Sequence, residues 1–277
     1  MFGRTLNYYK NKVVIVTGGA SGLGRSLCEE LGRYGAKVVV TDINEQGAKD
    51  VARSIKSSGG TAEAMRLDVS KQKDVEAVIN KTAEKYGRLD LMFNNAGIAI
   101  IGELRDMNTE KWNRIISINL MGVIYGTSAA YQIMIDQGYG HIINISSLAG
   151  IVPFVGSNAY GVAKHGVYGL SRGLRTEAAG LGVRVSVVCP GAIKTNMFNS
   201  ATMLKMKHDD FFGLMRFEPM DSRRAAKIIL RRVSKNRGII VLTASAHILR
   251  LINRLCPAAV DLISRVPVWW IRKNVRK

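Results

Sequence analysis

The sequence predicts a doubly wound α/β fold: one parallel seven-stranded sheet with helices on both faces, and then a C-terminal extension. Three observations carry this. Short apolar runs without alternation recur along the chain, as in strands buried on both faces. Each run is followed by a segment of helical periodicity, so the connections are crossovers and not hairpins. The first strand-to-helix turn is a glycine cluster, Gly18-Gly19-Ala20-Ser21-Gly22-Leu23-Gly24. No internal repeat or linker interrupts the alternation. Residues 1–243 therefore read as one domain, and residues 244–277 as a basic amphipathic extension.

Residues 12–17 form the first strand, and the pattern through Leu27 and Leu31 the first helix. Strand, glycine turn and helix make the context of a phosphate site. Absent side chains let the backbone approach a pyrophosphate, and the helix N-terminus offers free N–H groups and a positive dipole end. Taken alone, the glycines are equally a tight turn. The second strand, 36–42, ends in Asp42, 18 residues after Gly24. A carboxylate there can accept both hydrogen bonds of an adenosine ribose and would repel a 2′-phosphate. Its expected neighbours, Ser21 and Ile43, bring no positive charge. The competing role is a helix N-cap, for which Asn44 is the rival.

A helix over 45–57, a strand over 62–67 ending in Asp68-Val69, and a helix over 71–86 follow. The fourth strand, 89–94, closes in Asn95-Ala96-Gly97. A long helix is expected over 109–134 with Asn119 inside it, a poor helix-interior residue that invites a specific explanation. The fifth strand, 140–146, leads into Ser147. Residues 148–156 carry too much Gly, Pro and β-branched character for a helix, so they read as a loop. The pattern turns helical from Asn158 to about Leu181. The sixth strand, 183–189, ends in Pro190-Gly191. A helix capped by Asp221 or Ser222 follows to about Lys235, and the last strand covers 238–242.

In the helix after the fifth strand, Tyr160 and Lys164 lie at i and i+4 on one face. An ammonium beside a phenol favours phenolate and is expected to pull the tyrosine pKa from about 10 toward neutrality. Such a phenol serves as general acid and base, with the Ser147 hydroxyl placed to hold the reacting oxygen. A lone Tyr-x-x-x-Lys is more often an ordinary helix pair, so the rest of the chain has to decide.

Composition narrows the class. The 277 residues carry 40 Lys and Arg against 21 Asp and Glu, a net +19. From Arg216 onward there are 15 Lys/Arg and 3 acids. Such a surface attracts nucleic acid, anionic lipid or acidic ligands. Cys28, Cys189 and Cys256 are far apart and without ligand spacing, so reduced thiols, no metal site and a cytoplasmic setting are expected. The first residues lack a signal-peptide apolar region, and no apolar run reaches the roughly 18 residues of a membrane span.

Thr17-Gly18-x-x-x-Gly22-x-Gly24, Asp68-Val69, Asn94-Asn95-Ala96-Gly97, Asn119, Ser147, Tyr160-x-x-x-Lys164, and Pro190-Gly191 with Thr195 stand in the order of one family. Over residues 12–242 the chain resembles the short-chain dehydrogenases/reductases, proteins of Rossmann fold. The family's serine lies 13 residues before its tyrosine, which selects Ser147 over Ser146. The resemblance implies hydride transfer between a nicotinamide and a carbinol or carbonyl carbon. Tyr160 would move the hydroxyl proton. Lys164 would lower its pKa and grip the nicotinamide ribose, and Ser147 would stabilise the substrate oxygen. Asn119 would hold a water linking Lys164 to solvent. Asp68 and Val69 would flank the adenine, Asn95, Ala96 and Gly97 would line the cofactor, and Thr195 and the backbone near Ile193 would hold the carboxamide. With Gly18, Ser21, Gly22, Leu23, Gly24, Asp42, Ile43, Pro190 and Gly191, these make the expected cofactor site, with NAD favoured over NADP. His141, His165, His208 and His247 match no family catalytic position and read as structural or solvent-facing. A homo-oligomer built on the helices carrying Asn119 and Tyr160 is implied too.

The segment 196–220 holds five of the 11 methionines with Phe198, Phe211, Phe212 and Phe217, an adaptable apolar surface. It reads either as the wall of a lipophilic alcohol or ketone site (steroid-, retinoid- or long-chain-like) or as a segment packed on its own core. Ile98, Ile100, Ile101, Val152, Phe154 and Val155 are the candidates for the opposite wall. In the extension, Ile248, Leu251, Ile252 and Leu255 share a helix face, Pro257 and Pro267 punctuate, and Trp269-Trp270 precedes Arg272, Lys273, Arg276 and Lys277. That fits a peripheral contact with a membrane or a helix docked on the subunit or its partner. The rival to an enzyme is a non-catalytic nucleotide-sensing or nucleic-acid-binding protein on the same fold. The set Asn119, Ser147, Tyr160 and Lys164 disfavours it, and no nucleic-acid-reading motif is present.

Overall fold

The computed structural model describes residues 7–195, 197, 200–205 and 219–274. Its centre is a seven-stranded parallel sheet of β1 (Val13–Thr17), β2 (Lys37–Asp42), β3 (Thr61–Arg66), β4 (Leu91–Asn94), β5 (Gly140–Ile145), β6 (Val183–Cys189) and β7 (Ile239–Val241). The spatial order is β7-β6-β5-β4-β1-β2-β3. The chain reverses its direction of winding between β1 and β4, which leaves a crevice at their carboxyl ends. All five residues of β1 are buried, as its unbroken apolar run requires.

The helices are α1 (Gly22–Arg33), α2 (Glu45–Ser57), α3 (Gln72–Tyr86), α4 (Thr109–Ile116), α5 (Gly122–Gln137), α6 (Asn158–Glu177), α7 (Ser222–Val233), α8 (Ala244–Leu255) and α9 (Pro257–Asn274). On one face of the sheet, Leu27 and Leu31 of α1, Val51 and Ile55 of α2 and Ile229 of α7 close over Val14, Val16 and Val38. On the other, Val75 and Ile79 of α3, Met134 of α5 and Leu174 of α6 close over Ile15, Val39 and Met92. Neighbouring residues of one strand thus feed opposite cores.

Asn44, the rival to Asp42 for the cap of α2, fills that role, accepting from the Gly47 N–H at 3.0 Å. Three expectations change in detail. Helix α6 ends at Glu177 and not near Leu181. The long helix is interrupted by a π-helical turn, Ser117–Met121, between α4 and α5. Pro267 does not end a helix, since α9 runs through it, whereas Pro257 opens α9, a position at which its missing N–H has no helical partner to lose.

His141 is structural, as expected. It lies buried with its ring nitrogens 3.1 Å from the Tyr8 hydroxyl and 2.8 Å from the Ser186 hydroxyl. Burial first, and then the nearby Arg184, Arg175 and Lys12 charges, push its pKa down to about 3. The unfolded chain, whose histidine titrates near 6.5, takes the proton first. Stability should therefore fall as pH drops from about 6.5 toward 3. Melting temperatures at about pH 7 and 5 test this. The fall should be smaller in His141→Gln, and equal falls would remove His141 as its cause.

Candidate active site

The expected site residues come from six separate strand ends, the π turn and α6, and the fold gathers them at the carboxyl edge of the sheet. Gly18 and Gly22 have φ of +66° and +53°, conformations that glycine adopts without strain. A Cβ on Gly18 would meet the Ala96 Cα at 2.8 Å, and one on Gly24 would lie 2.0 Å from the Gly18 carbonyl oxygen. The turn is thus stacked on itself and on the segment after β4. Asn95 locks the two together. Its side-chain amide donates to the Thr17 carbonyl at 2.8 Å, while the Asn95 and Ala96 N–H groups donate to Thr17 Oγ1 at 2.9 and 3.0 Å. The start of α1 has no side-chain cap from Ser21 and no acid in its first turn, so its electropositive end is left to a ligand.

Asp42 accepts the Ala20 N–H at 3.0 Å and the Asn44 N–H at 2.9 Å, one on each oxygen. These bonds hold its carboxylate beside the glycine turn. Ile43 next to it is exposed. Asp68 takes both the Ser70 N–H and hydroxyl on one oxygen, and these bonds together with nearby cations hold its pKa below the ordinary value against the opposing effect of burial. Val69 packs against Gly122, where a Cβ would come within 3.0 Å of it. Thr195 faces the glycine turn, 3.1 Å from a Cβ built on Gly22. The Pro190 carbonyl accepts the Leu148 N–H at 2.7 Å, tying the segment with Gly191 and the buried Ile193 to the loop after Ser147.

Asn119 sits in the π turn, fully buried. Its amide oxygen accepts the Ile98 N–H and its amide nitrogen donates to the Ile98 carbonyl, both at 2.8 Å. The poor helix former is thus explained: a side chain with a donor and an acceptor pins the backbone after β4. Gly97 stands between the parts, since a Cβ there would be 3.2 Å from Asn119 Oδ1 and 3.7 Å from Lys164 Nζ.

Lys164 is buried, and its Nζ donates to the Ile145 carbonyl at 2.9 Å. Burial lowers its pKa to about 8. Its Nζ lies 5.6 Å from the centre of the Tyr160 ring. The expected depression of the tyrosine pKa is not found. Burial raises it, opposed by the neighbouring Ser147 hydroxyl. Desolvation of the phenolate outweighs an ammonium at this separation that is itself directed to a carbonyl. The choice between the serines gains a physical reason. Ser146 is buried and donates to the Lys164 carbonyl at 2.8 Å, whereas the Ser147 hydroxyl, at the loop start, accepts the Ala149 N–H at 3.1 Å.

One supporting group was not anticipated. Asn94, Thr127, Asn144 and Ser171 form a buried hydrogen-bonded chain behind the site, with Asn94 Nδ2 donating to Asn144 Oδ1 at 2.8 Å and Asn144 Nδ2 to Ser171 Oγ at 3.0 Å. The polar Asn144 inside an apolar strand was its one sequence signal. Of the proposed opposite wall, Ile100, Ile101 and Val152 are buried in the protein's own core, which corrects that expectation. Phe154 and Val155 instead line an open cavity of about 1050 Å³ with Leu104, Val162 and Val268. Ala149, two residues after Ser147, and Gly161, next to Tyr160, are in its wall; Ser147 and Tyr160 are not. Of the methionine- and phenylalanine-rich segment, Asn196, Met206, Met215, Phe198, Phe211, Phe212 and Phe217 lie outside the described residues, as do His208, Arg276 and Lys277. Among the described residues no group of three or more His, Cys, Asp or Glu is placed to hold a metal.

A doubly wound sheet with a glycine turn at its switch point and a Ser-Tyr-Lys set beside it defines a class of protein, and the chain belongs to it: it is a member of the short chain dehydrogenase family, whose profile matches residues 12–205. More particularly, it is 33% identical over 279 aligned positions to the probable oxidoreductase EphD of Mycobacterium tuberculosis, covering 96% of this chain and 47% of that protein. The chain thus spans about half the length of that relative. Cyclohexanol dehydrogenase of an Acinetobacter species is 36% identical over 72% of this chain and 81% of its own. Levodione reductase of Leifsonia aquatica is 33% identical over 79% of each. A crystal structure of levodione reductase superposes with a TM-score of 0.77 at 29% identity, covering 84% of this chain and 96% of that one. A Burkholderia phymatum short chain dehydrogenase/reductase in complex with NAD gives 0.83 at 24% identity, covering 92% of this chain and 95% of that one, a likeness of fold.

Proposed function

We propose that this protein is a nicotinamide-dependent oxidoreductase that interconverts an alcohol and a ketone, with NAD preferred and a lipophilic substrate. The observation that carries the reading is the convergence of Ser147, Tyr160 and Lys164 beside Gly97, one strand away from the glycine turn. The names of the cyclohexanol and levodione relatives support a carbinol or carbonyl substrate.

The dinucleotide fits the residues present. Its pyrophosphate would lie against Gly18, Gly22 and the uncapped start of α1, its adenosine ribose on Asp42, and its nicotinamide side near Gly97, Lys164 and Thr195. When bound, it supplies the hydride acceptor or donor. The chain's own residues handle the proton. Tyr160, its pKa raised by burial, is protonated at neutral pH and is set to donate to a carbonyl oxygen. Ser147 orients that oxygen. Lys164, with a pKa near 8, remains largely charged at pH 7 and favours the phenolate left behind.

The apolar cavity beside the catalytic loop supports a lipophilic substrate. The outer face of α6, where a Cβ built on Gly169 or Gly173 would meet nothing within 4 Å, supports a homo-oligomer built on that helix. Contact of the extension with a membrane surface belongs to the same reading, as does a cytoplasmic setting. No helix among the described residues is long and apolar enough to cross a membrane. The non-catalytic alternative lacks a reason for a buried lysine placed 5.6 Å from the centre of the Tyr160 ring.

The test is NADH formation, at 340 nm, with a panel of secondary alcohols of increasing apolar size. Turnover should appear with NAD and rise with apolar size. NADP should serve poorly, and Asp42→Ala should narrow the gap by at least about tenfold, since it removes a charge that repels the 2′-phosphate. Strong NADP-only turnover would reverse the cofactor reading, and no turnover with either cofactor despite tight NAD binding would favour the sensing alternative.

A further inference from the structure

Helices α8 and α9 carry their apolar side chains outward. On α8, Ile248, Leu251, Ile252 and Leu255 occupy one face, and all four are exposed, Leu255 at 73%. On α9, Leu262, Ile263 and Trp269 are each more than 60% exposed. A helix on a globular domain turns such a stripe inward. Here, among the described residues of the two helices, only Ala246 and Val260 are buried. The same helices carry Arg250, Arg254, Arg265, Arg272 and Lys273 against one acid, Asp261. Lys273 stands 5.1 Å over the Trp269 ring, a pairing suited to a headgroup layer.

The two helices pack together, and each is hydrogen-bonded to the domain. Asn253 Nδ2 donates to the Ile151 carbonyl at 3.0 Å, in the loop after Ser147. Arg272 Nε donates to Glu103 at 2.8 Å, at the rim of the cavity that Val268 helps to line. The hairpin is therefore held on the side of the domain that carries the catalytic loop.

We propose that the outer faces of α8 and α9 form one docking surface for an anionic bilayer, which sets the catalytic-loop side of the domain at the lipid surface. The inference rests on the reading of the extension as a peripheral membrane contact, and adds the face that meets lipid and the attitude of the domain upon it. Amphipathic helices of this kind settle with their apolar side about 5–10 Å into the headgroup boundary. Charge selects the bilayer over the other occupants. A second copy offering the same face would bring two sets of cations together. A nucleic acid would answer the cations but leave seven large apolar side chains in water.

The experiment is co-sedimentation of the full chain with phosphatidylcholine vesicles, with and without phosphatidylglycerol, together with tryptophan emission and light scattering. The parent chain should pellet with the anionic vesicles, shift its emission to the blue, and release in about 0.5 M salt, where the Debye length is only a few Å. Leu255→Glu/Ile263→Glu, with an unchanged melting curve, should bind at least about tenfold more weakly. If that pair melts early, Leu251→Glu/Leu262→Glu supplies the same comparison. A parent chain that stays in the supernatant at low salt overturns both this inference and the membrane contact beneath it. Parental binding by the folded double variants overturns the face while leaving the contact standing. A parent chain that ignores vesicles, with variants that lose oligomeric mass, makes the occupant a second copy and overturns the proposal.

Discussion

Tyr160→Phe should lower turnover by roughly 10²–10⁴-fold while leaving NAD affinity and melting temperature near the parent values. The substitution removes one oxygen and keeps the ring packed with Ile98, Trp112 and Ile116 around Ile100 and Ile115. What it deletes is the hydroxyl proposed as the proton donor. Because burial raises the Tyr160 pKa in the free protein, the proposed mechanism has the phenol enter protonated and the reductive direction draw on it directly. The measurement is steady-state turnover with the best alcohol and ketone of the panel, alongside NAD titration by fluorescence. Near-parental turnover in a folded Tyr160→Phe would sink the mechanism. A loss confined to NAD affinity would instead make Tyr160 a binding residue.

Gly24→Ala is the second substitution expected to act strongly, on cofactor binding and on stability together. Its new Cβ would lie 2.0 Å from the Gly18 carbonyl oxygen and 2.6 Å from Asn95 Nδ2. Neither can yield easily. The first is backbone at the centre of the turn, and the second donates to the Thr17 carbonyl and so holds the segment after β4. Overpacking of this kind costs about 1–3 kcal/mol, and more where backbone must move. For a chain of this size that is a fall in melting temperature of roughly 2–12 °C. The displaced turn should also weaken NAD binding by more than about tenfold, because the pyrophosphate needs the original backbone path. Calorimetry and NAD titration on the same preparation check both. A variant that melts and binds NAD as the parent does would show that the turn is not built as described.

The two predictions separate the roles within one edge of the sheet. In the proposed mechanism Gly24 belongs to the cradle and Tyr160 to the proton transfer, so the Gly24 variant should fail in binding and the Tyr160 variant in turnover. The division follows the fold: the glycine turn belongs to β1 and α1, while Tyr160 and Lys164 belong to α6, and Asn95 and Gly97 join them.

Much of this was legible in the sequence because the signals are local. An unbroken apolar run such as Val13 to Val16 specifies a strand buried on both faces, and helical periodicity after it specifies the crossover. The resemblance to the family, whose serine lies 13 residues before its tyrosine, selected Ser147 over Ser146. The order of short motifs from Thr17 to Thr195 pointed to one family. What only the tertiary structure decided depends on groups distant in the chain. The direction of the Tyr160 pKa shift is a balance between desolvation and the reach of Lys164, and neither is written in an i, i+4 spacing. Asn119 found its partners 21 residues away at Ile98, through a π turn that periodicity does not reveal. Ile100, Ile101 and Val152 are apolar in the sequence exactly as Phe154 is, yet they are buried in the core while Phe154 lines a cavity. The stripe on α8 was readable as amphipathic, but whether it faced protein or water rested on the packing of α8 and α9 beside the catalytic loop. Local pattern determines which elements form, because backbone geometry and side-chain period act over a few residues. Exposure, pKa and the course of a cavity are set by contacts between segments that the fold alone brings together.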